Sequence, residues 1–509
     1  MGASELGMLV ARVLSGDKGT HEIASTDRDK VCLLSNGMLY IAQSYKQDMA
    51  VLAYIQLLKH RRFQYTIEYV SVTDIQRLYA EHAGVSGGGR QDESFRQKEV
   101  QQIVMEAVAK GASDIHFING ENTTTVFMRI DGFVEQVHVL KAEDGNALCA
   151  TIYTSMTDVA DTNYKQGQCQ DGRVKKEFLQ SCGLFGARIS TRPTDDGNYF
   201  VLRLLPNNGK KVSLAQLGYE EQVQIPLIRR MTTRTTGINI FTGATGSGKS
   251  TTLHALMSEM HVNTRGRTRI LTIEDPPEYP IEGAVQTPLI CDRDSPEAVA
   301  AEWVRSISSS MRLDPDVMMV GEMRDRESAS TAFRAAMTGH GVWTTLHANN
   351  ALQALDRLID MGVTESFVTD AALVTGLINQ SLCATNCPDC KRAYKRYKRQ
   401  VAPELQERIE QYCNPETLFL RGNDKACKTC GGKGYKGRTV IAEVCVPNQK
   451  IMNAYRRGGA AEARDVWVKE FGGLTKASHL IRKINAGLID PEIAEEMVCP
   501  IDEDFLTLG

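Results

Sequence analysis

The segment Gly243-Ala-Thr-Gly-Ser-Gly-Lys249-Ser250 constrains the fold of this chain more than any other feature of its 509 residues. It has the Walker A pattern, in which two glycines enclose four residues and the second is followed by lysine and serine. The apolar run Ile238–Thr242 precedes it, and the helix-forming stretch Thr251–Met260 follows it. A strand, a glycine loop and a helix in this order predict a phosphate-binding loop within a mostly parallel α/β sheet.

The residue types of this loop predict an ATP site. Backbone N–H groups of the glycine loop and of the following helix N-terminus can surround phosphate oxygens. We expect Lys249 to reach the β- and γ-phosphates and Ser250 to ligate Mg²⁺. The alternative, a plain glycine turn, leaves the flanking strand and helix without explanation. The expected nucleotide-binding residues are Gly243, Ala244, Thr245, Gly246, Ser247, Gly248, Lys249, Ser250 and Thr251.

Two acidic segments follow the loop, and either could hold Mg²⁺ or orient the attacking water. The apolar run Val317–Val320 is followed by Gly321 and Glu322, which brings a carboxylate to the carboxyl end of a predicted strand. This is a Walker B-like element in which Gly321 replaces the usual aspartate. A buried strand ending in a solvated glutamate is the alternative. The other segment, Leu271–Glu278, carries Glu274 before two prolines that end a strand. Which of Glu274 and Glu322 is the general base stays open.

Two further patterns carry chemistry. His340 and His347 flank a short predicted strand, although a single histidine is more often an ordinary polar residue. The paired C-x-x-C motifs, Cys387 with Cys390 and Cys427 with Cys430, predict a four-cysteine Zn²⁺ site. Four protein ligands leave no open coordination position, so this site is expected to be structural. Cys383 and Cys413 lie nearby in sequence as weaker candidate ligands.

Composition excludes several classes of protein. A net charge of -3 gives no overall attraction to nucleic acid, so DNA is not an expected partner. The first residues lack a basic region followed by an apolar one, so no export signal is expected, and no apolar stretch approaches the roughly 18 to 20 residues that span a bilayer. We therefore expect a cytoplasmic chain that reaches membranes through partners. The glycine- and serine-rich stretch 84–94 predicts a flexible linker.

This linker suggests a domain order. The expected domains are a small N-terminal α/β domain at 1–83, a second α/β domain at 95–220, and a large α/β domain at 221–509 that includes the cysteine element at about 383–435.

Several segments, in this order, resemble the secretion and pilus traffic ATPases of the type II secretion and type IV pilus assembly family. After the Walker A loop these segments are Thr272–Pro276, Asp314–Asp325 and Thr338–His347. Upstream of the loop they are Ala112–Phe117, Arg129–Gly132, Gln170–Arg173, Ala187–Ser190 and Val201–Arg203. The resemblance extends over roughly residues 95 to 495.

The resemblance implies a RecA-like ATPase core joined to a PAS-like second domain, with ATP between them and six copies in a ring. It implies that Glu274 or Glu322 activates water and completes the Mg²⁺ site. His340 and His347 would sense or contact the γ-phosphate, and Arg188 and Arg203 would approach an ATP-bearing site. For the arginines, ordinary strand-surface residues are the alternative.

In function, the resemblance implies a motor that assembles a type IV pilus or a type II secretion pseudopilus at the cytoplasmic face of the inner membrane, against a platform protein. The cysteine pairs favour assembly over retraction. The short first domain and the uncharged Asn379–Leu382, where many relatives are basic, suggest a type IVb pilus system. Alternatives are a retraction or DNA-transfer motor, or a nucleotide-binding scaffold without turnover.

Overall fold

The computed structural model describes residues 13–16, 20–61, 63–82, 90–158, 163–206, 212–291 and 295–508. The chain forms two compact units. One contains Met1–Ile130 with Val134–Pro206, and the other contains Asp131–Phe133 with Asn207–Gly509.

The strands of the described residues belong to three main sheets and one short pair. They are β1 (Val31–Leu33), β2 (Met38–Ala42), β3 (Thr66–Val70), β4 (Ala112–Asn119), β5 (Thr123–Ile130), β6 (Phe133–Lys141), β7 (Thr157–Asp158), β8 (Gln170–Val174), β9 (Leu184–Thr194), β10 (Gly197–Pro206), β11 (Gly237–Thr242), β12 (Ile270–Glu274), β13 (Ala284–Pro288), β14 (Val317–Val320), β15 (Gly341–Leu346), β16 (Val374–Asn386), β17 (Arg392–Ala393), β18 (Phe419–Leu420) and β19 (Tyr435–Cys445).

The helices within the same ranges are α1 (Met49–His60), α2 (Val72–His82), α3 (Arg90–Ala109), α4 (Ala142–Thr154), α5 (Lys176–Gln180), α6 (Leu214–Leu217), α7 (Gln224–Thr232), α8 (Lys249–Asn263), α9 (Pro296–Ser310), α10 (Arg326–Met337), α11 (Gln353–Asp360), α12 (Glu365–Val368), α13 (Tyr394–Tyr397), α14 (Pro403–Tyr412), α15 (Gln449–Phe471), α16 (Lys476–Asn485), α17 (Pro491–Met497) and α18 (Glu503–Thr507). Short 3₁₀ turns occur at Ser25–Asp27, Gln43–Tyr45 and Lys398–Gln400. Among these described helices, none combines the length and apolar character needed to cross a bilayer.

The first three strands form a small sheet with a helix on each face. β1 and β2 are antiparallel, whereas β2 and β3 are parallel. Val31 and Leu33 pack with α1, and the intervening Cys32 packs with α2. Because successive side chains of a strand point to opposite faces, this alternation buries both surfaces of a very small sheet.

The second sheet begins after the predicted linker. Residues 84–89 of that linker lie outside the described residues, and Arg90–Ser94 are helical because α3 begins at Arg90. Antiparallel pairs join β5, β4, β10, β9, β8 and β7 in that order. Val104 of α3 and Ile152 of α4 pack in the core of this sheet. The comparison of this domain with a PAS domain stays a prediction.

The third sheet is the mostly parallel sheet that the sequence predicts. Its order is β13-β12-β14-β15-β11-β16-β19, with only β19 running antiparallel to its neighbour. Every residue of β11, β12, β14 and β15 is buried, as expected for parallel strands covered on both faces. Ile240 packs in the core on one face and Phe241 in the core on the other.

An excursion between β16 and β19 carries the cysteine motifs. It contains the short antiparallel pair β17 and β18 together with α13 and α14. After β19 the chain ends in the helices α15 to α18. Leu480 of α16 and Ile493 of α17 pack with Ile441 of β19, so these helices form part of the same unit as the parallel sheet.

Candidate functional site

The glycine loop follows β11 directly and ends where α8 begins. Gly243, Gly246 and Gly248 have φ values of 140°, 78° and 85°, which favour glycine. A Cβ atom at Gly243 would lie 2.3 Å from the carbonyl oxygen of Gln380. Lys249 Nζ donates to the carbonyl oxygens of Gly243 at 2.7 Å and Ala244 at 2.9 Å. The ammonium group therefore lies over the loop, at the N-terminus of a helix, where phosphate groups bind.

Two buried side chains support the backbone of the glycine loop. Gln380 Nε2 donates to the carbonyl oxygen of Ser247 at 2.7 Å. Gln380 Oε1 accepts a 2.6 Å hydrogen bond from the hydroxyl group of Tyr219. Both of these side chains are buried, so each polar group needs its partner. The pair fixes the backbone of the loop before any ligand binds.

Four neighbouring parallel strands bring the predicted site residues to one edge of the sheet. β12 ends at Glu274, β14 is followed by Gly321 and Glu322, β15 is followed by His347, and β11 leads into Gly243. Ligands of open parallel sheets bind at this carboxyl edge. The structure therefore gathers the phosphate loop, both acids and one of the two predicted histidines.

Glu322 is the centre of a charged cluster at this edge. His347 Nε2 lies 3.1 Å from Glu322 Oε1, and Arg324 Nε donates to Glu322 Oε2 at 2.8 Å. Arg324 also lies 3.7 Å from a carboxylate oxygen of Asp275. Burial lowers the pKa of Lys249, and the negative charge of Glu322 opposes that shift. Glu322 is therefore close enough to the phosphate loop to act on its electrostatics.

Glu274 has a different environment. Its side chain is buried, and its carboxylate accepts hydrogen bonds from Thr272 Oγ1 at 2.6 Å and Gln286 Nε2 at 2.9 Å. His254 Nε2 lies 3.2 Å from the other carboxylate oxygen. Burial acts to raise the pKa of Glu274, but His254, Gln286 and Thr272 together hold that pKa below its ordinary value. The carboxylate is thus buried, charged and held by three partners.

Sequence analysis missed His254, Gln286 and Arg324. His254 lies four residues after Ser250 on α8, and residues at that spacing share a helix face, so this signal was available. Gln286 comes from β13, which pairs with β12 in parallel, and no local pattern identifies it.

His340 is not part of this cluster. It precedes β15, whereas His347 follows it, so the strand places the two histidines at opposite edges of the sheet, about 20 Å apart. His340 Nδ1 lies 3.1 Å from the carbonyl oxygen of Ala335, near the end of α10. The structure therefore brings His347, but not His340, to the edge that carries the phosphate loop, and a contact of either histidine with the γ-phosphate stays a prediction.

Arg188 and Arg203 lie in the antiparallel sheet of the other unit. The strand register places five residues side by side across β5, β4, β10, β9 and β8. In order they are Arg129, Asp114, Arg203, Arg188 and Arg173. Directly opposed residues point to the same face of a sheet. Arg203 Nε donates to Asp114 Oδ1 at 2.9 Å, and Arg129 Nε lies 4.0 Å from Asp114 Oδ2, so two of the four arginines pair with this buried carboxylate. We call these four arginines the arginine row.

The four predicted cysteines form a compact cluster. Their sulfur atoms all lie within 4.8 Å of one another. Cys387 Sγ is 3.8 Å from Cys427 Sγ, and Cys390 Sγ is 3.6 Å from Cys430 Sγ. Sulfur atoms bound about 2.3 Å from a tetrahedral Zn²⁺ stand about 3.8 Å apart. The distances and the thiol donors therefore fit a tetrahedral metal ion.

The backbone around the cluster supports the same conclusion. Gly434 N donates to Cys430 Sγ at 3.2 Å, a contact that stabilises a thiolate. A Cβ atom at Gly422 would lie 2.2 Å from Cys390 Sγ, so the chain approaches that sulfur closely. Cys383 and Cys413 instead pack in a separate hydrophobic cluster. Among the described residues, the cluster contains only the four predicted cysteines.

Comparisons with known proteins show which family this chain resembles. A family model described as "Type II/IV secretion system protein" matches residues 89–489. The Type II secretion system ATPase E of Vibrio cholerae serotype O1 is 34% identical over 373 residues, which cover 73% of this chain and 69% of that protein. The Type IV pilus assembly ATPase PilB of Thermus thermophilus is 34% identical over 383 residues, covering 73% of this chain and 39% of that protein.

A solved structure extends the comparison to the fold. The ATPase DotB of Legionella pneumophila superposes with a TM-score of 0.55 at 20% identity, covering 79% of this chain and 95% of that chain. At this identity the likeness concerns the fold alone. The predicted fold class, α/β with a RecA-like core, is confirmed.

Proposed function

This chain belongs to the Type II/IV secretion system protein family, as its motifs predict, and we propose that it is a motor that hydrolyses ATP to assemble a pilus or a secretion pseudopilus. The chain is an ATPase. One observation carries the proposal: the phosphate loop with Lys249, the acid Glu322 and His347 meet at the carboxyl edge of four adjacent parallel strands. This is the arrangement that phosphoryl transfer to water requires.

Different residues of the chain bind the phosphates of ATP and the Mg²⁺ ion in this proposal. Backbone N–H groups of the glycine loop and Lys249 bind the phosphates. Ser250 and Glu322 supply oxygen ligands of the kind that Mg²⁺ prefers. When bound, Mg²⁺ neutralises phosphate charge. His347 fixes one carboxylate oxygen of Glu322 and thereby orients the acid.

We assign the role of general base to Glu322 and a supporting role to Glu274. A general base must reach the attacking water. The side chain of Glu322 is 24% exposed, whereas that of Glu274 is 6% exposed and holds three hydrogen-bond partners. Glu274 instead joins β12 to the phosphate-loop helix through His254 and keeps a negative charge beside the site.

The arginine row has a proposed role in trans. Four arginines stand side by side across neighbouring strands, and guanidinium groups bind phosphate well. We propose that Arg188 and Arg203 approach the nucleotide of another copy in a hexamer. A positioned arginine can raise phosphoryl transfer by roughly 10³- to 10⁵-fold, so domain movement that brings it near would control turnover.

The cysteine cluster binds Zn²⁺ in this proposal. The sulfur distances and the N–H donor from Gly434 support that assignment. Cys387, Cys390, Cys427 and Cys430 would supply all four ligands of the ion, which would stabilise the excursion between β16 and β19 and take no part in hydrolysis. A folded excursion would offer a docking surface to a platform protein at the cytoplasmic face of the inner membrane.

The motor proposal is tested by assembly and turnover together. Light scattering of the purified chain with a nonhydrolysable ATP analogue should give six times the mass of one chain. Phosphate release per chain should rise with protein concentration across that assembly. Turnover that is equal in monomers and hexamers would remove the ring from the proposal, and nucleotide binding without phosphate release would favour a scaffold.

A further inference from the structure

The segment that follows His347 is held by three side chains from distant parts of the sequence. The first is Asn379, which is fully buried on β16. Its Nδ2 donates to the carbonyl oxygen of Ala348 and to Thr242 Oγ1, both at 2.9 Å. Thr242 is the last residue of β11, directly before the phosphate loop. One buried amide therefore joins the base of the phosphate loop to the residue after His347.

The second side chain is Lys476, the first residue of α16. Its Nζ donates to Asn379 Oδ1 at 3.0 Å and to the carbonyl oxygen of Asn349 at 3.1 Å. Asn379 thus uses its oxygen and both amide hydrogens, and the ammonium group binds the next carbonyl of the segment. Removing that ammonium would leave a buried amide oxygen without its partner, which is unfavourable.

The third is Glu443, buried on β19. Its Oε1 accepts a 2.5 Å hydrogen bond from the backbone N–H of Ala351. Its Oε2 lies 3.5 Å from Arg464 of α15 and accepts a 3.3 Å hydrogen bond from the backbone N–H of Lys476. The carboxylate therefore connects the end of the segment with the helices at the C-terminus.

From these contacts we infer that Asn379 and Lys476 are positioning residues that fix the segment 348–351, and with it His347, against the phosphate loop. The inference rests on the proposed hydrolysis at this site. Neither side chain touches the phosphate-binding groups of the glycine loop. Both act through the segment after His347 and through the contact of His347 with Glu322, and Asn379 also supports Thr242, directly before the loop. The C-terminal helices then become part of the catalytic unit, because Lys476 belongs to one of them.

The consequence for catalysis is specific. If the segment is loosened, His347 no longer holds Glu322, but the glycine loop and Lys249 keep their own supports. Misplacing a catalytic group by about 1 Å can lower a rate by about 10²-fold. We call the contacts of Asn379 and Lys476 with the segment 348–351 the clamp. Loss of the clamp should therefore lower kcat and leave ATP binding nearly unchanged.

The test uses the full chain and two readouts. For Lys476→Met we expect kcat for phosphate release to fall about 10- to 100-fold, with KM for ATP within about threefold. Hydrogen exchange of amides 348–351, measured by mass spectrometry, should become faster than in wild type. Lys476→Arg keeps a cationic donor and should recover most of the lost rate.

A second variant and a matched control keep the test decisive. Asn379→Asp preserves the acceptor for Lys476 but replaces the amide donor to Ala348, so it should show the same loss of kcat and the same faster exchange. Lys483→Met removes another lysine of α16 that also makes two hydrogen bonds, to Gly218 and Thr439. It should leave kcat and the exchange of 348–351 unchanged.

Each outcome has one meaning. Unchanged exchange at 348–351 in both Lys476→Met and Asn379→Asp would overturn the inference, and so would unchanged kcat in an active enzyme. Equal losses of kcat in Lys476→Met and Lys483→Met would indicate general destabilisation and also overturn it. If wild type releases no phosphate, the proposed function fails, while the exchange measurement still decides whether the clamp exists.

Discussion

His254 Nε2 lies 3.2 Å from Glu274 Oε2, a contact that joins the phosphate-loop helix to the end of the neighbouring acidic strand. Both side chains are buried. A buried carboxylate needs partners for its charge, and His254 supplies one of three. Glu274 is therefore a charged residue that stabilises the packing of the phosphate-loop helix against the end of β12.

This support should be visible in the pH dependence of stability. The fold holds the pKa of Glu274 below its ordinary value of 4.5, so stabilisation by its charged form is complete above that pH and is lost as the pH falls through the folded-state value. Glu274→Gln should lower the free energy of unfolding by about 1–3 kcal/mol at pH 7. The difference in free energy of unfolding between wild type and variant, which we call the gap, should narrow as the pH falls below 4.5.

Urea unfolding followed by circular dichroism measures this gap. Glu259→Gln, on the same helix as His254, is the control, because its partner Arg229 is mostly exposed and such pairs contribute little. A gap that stays constant or widens below pH 4.5 would contradict the role assigned to Glu274.

Replacing the assigned base should separate binding from hydrolysis. Glu322→Gln keeps the shape of the side chain but loses its charge, so kcat should fall about 10²- to 10⁴-fold while ATP stays bound. Retention of labelled ATP on the protein, measured by filtration beside phosphate release, checks both parts. Glu274→Gln, assayed in parallel, should lower kcat less. The reverse order would transfer the role of base to Glu274.

The arginine row should act between copies. Arg188→Ala should lower phosphate release by about 10³-fold if this arginine stabilises the transferring phosphoryl group. Mixing Arg188→Ala with Lys249→Ala subunits should restore part of the activity, because each variant supplies what the other lacks. Repeating the mixture with Arg203→Ala tests the neighbouring arginine.

Arg192, exposed on the same strand as Arg188, offers the control, and Arg192→Ala should leave turnover unchanged. Absence of complementation at every mixing ratio would point to an arginine that acts within its own chain or serves structure only.

The cysteine cluster should hold one Zn²⁺ per chain. Structural zinc sites contribute roughly 10–16 kcal/mol of apparent binding free energy, so Cys427→Ser should lose the ion and loosen the excursion between β16 and β19. ATP affinity should stay close to wild type, because the cluster lies outside the phosphate site. Elemental analysis beside nucleotide titration measures both quantities. Cys413→Ser should keep its metal, and a metal-free wild type would disprove the zinc assignment.

The parts of the site that could be predicted are those whose residues lie within one short, continuous segment of the sequence. Gly243 to Gly248 form one loop that leads into Lys249 and Ser250 at the start of α8, and the geometry of that loop follows from its glycines and its flanking elements. The two C-x-x-C pairs are local in the same sense, although their association across the excursion is a tertiary contact. Such local patterns predict structure well because residues distant in sequence have little influence on the conformation of the motif.

Contacts made by folding could not be predicted. Asn379, Lys476 and Glu443 reach the segment after His347 from β16, α16 and β19, and no spacing in the sequence links them. His340 shows the converse case. It lies close to His347 in sequence, but a buried strand runs between them and separates their positions by its full length.

Steady-state phosphate release by the purified chain with Mg²⁺ and ATP tests the central claim most directly. The account predicts measurable turnover in wild type and a loss of about 10²-fold or more in Lys249→Ala, because Lys249 supplies the cation at the β- and γ-phosphates. Lys450→Ala, which removes an exposed lysine paired with Glu470, should match wild type. Phosphate release by Lys249→Ala at the wild-type rate would contradict the assignment of the site.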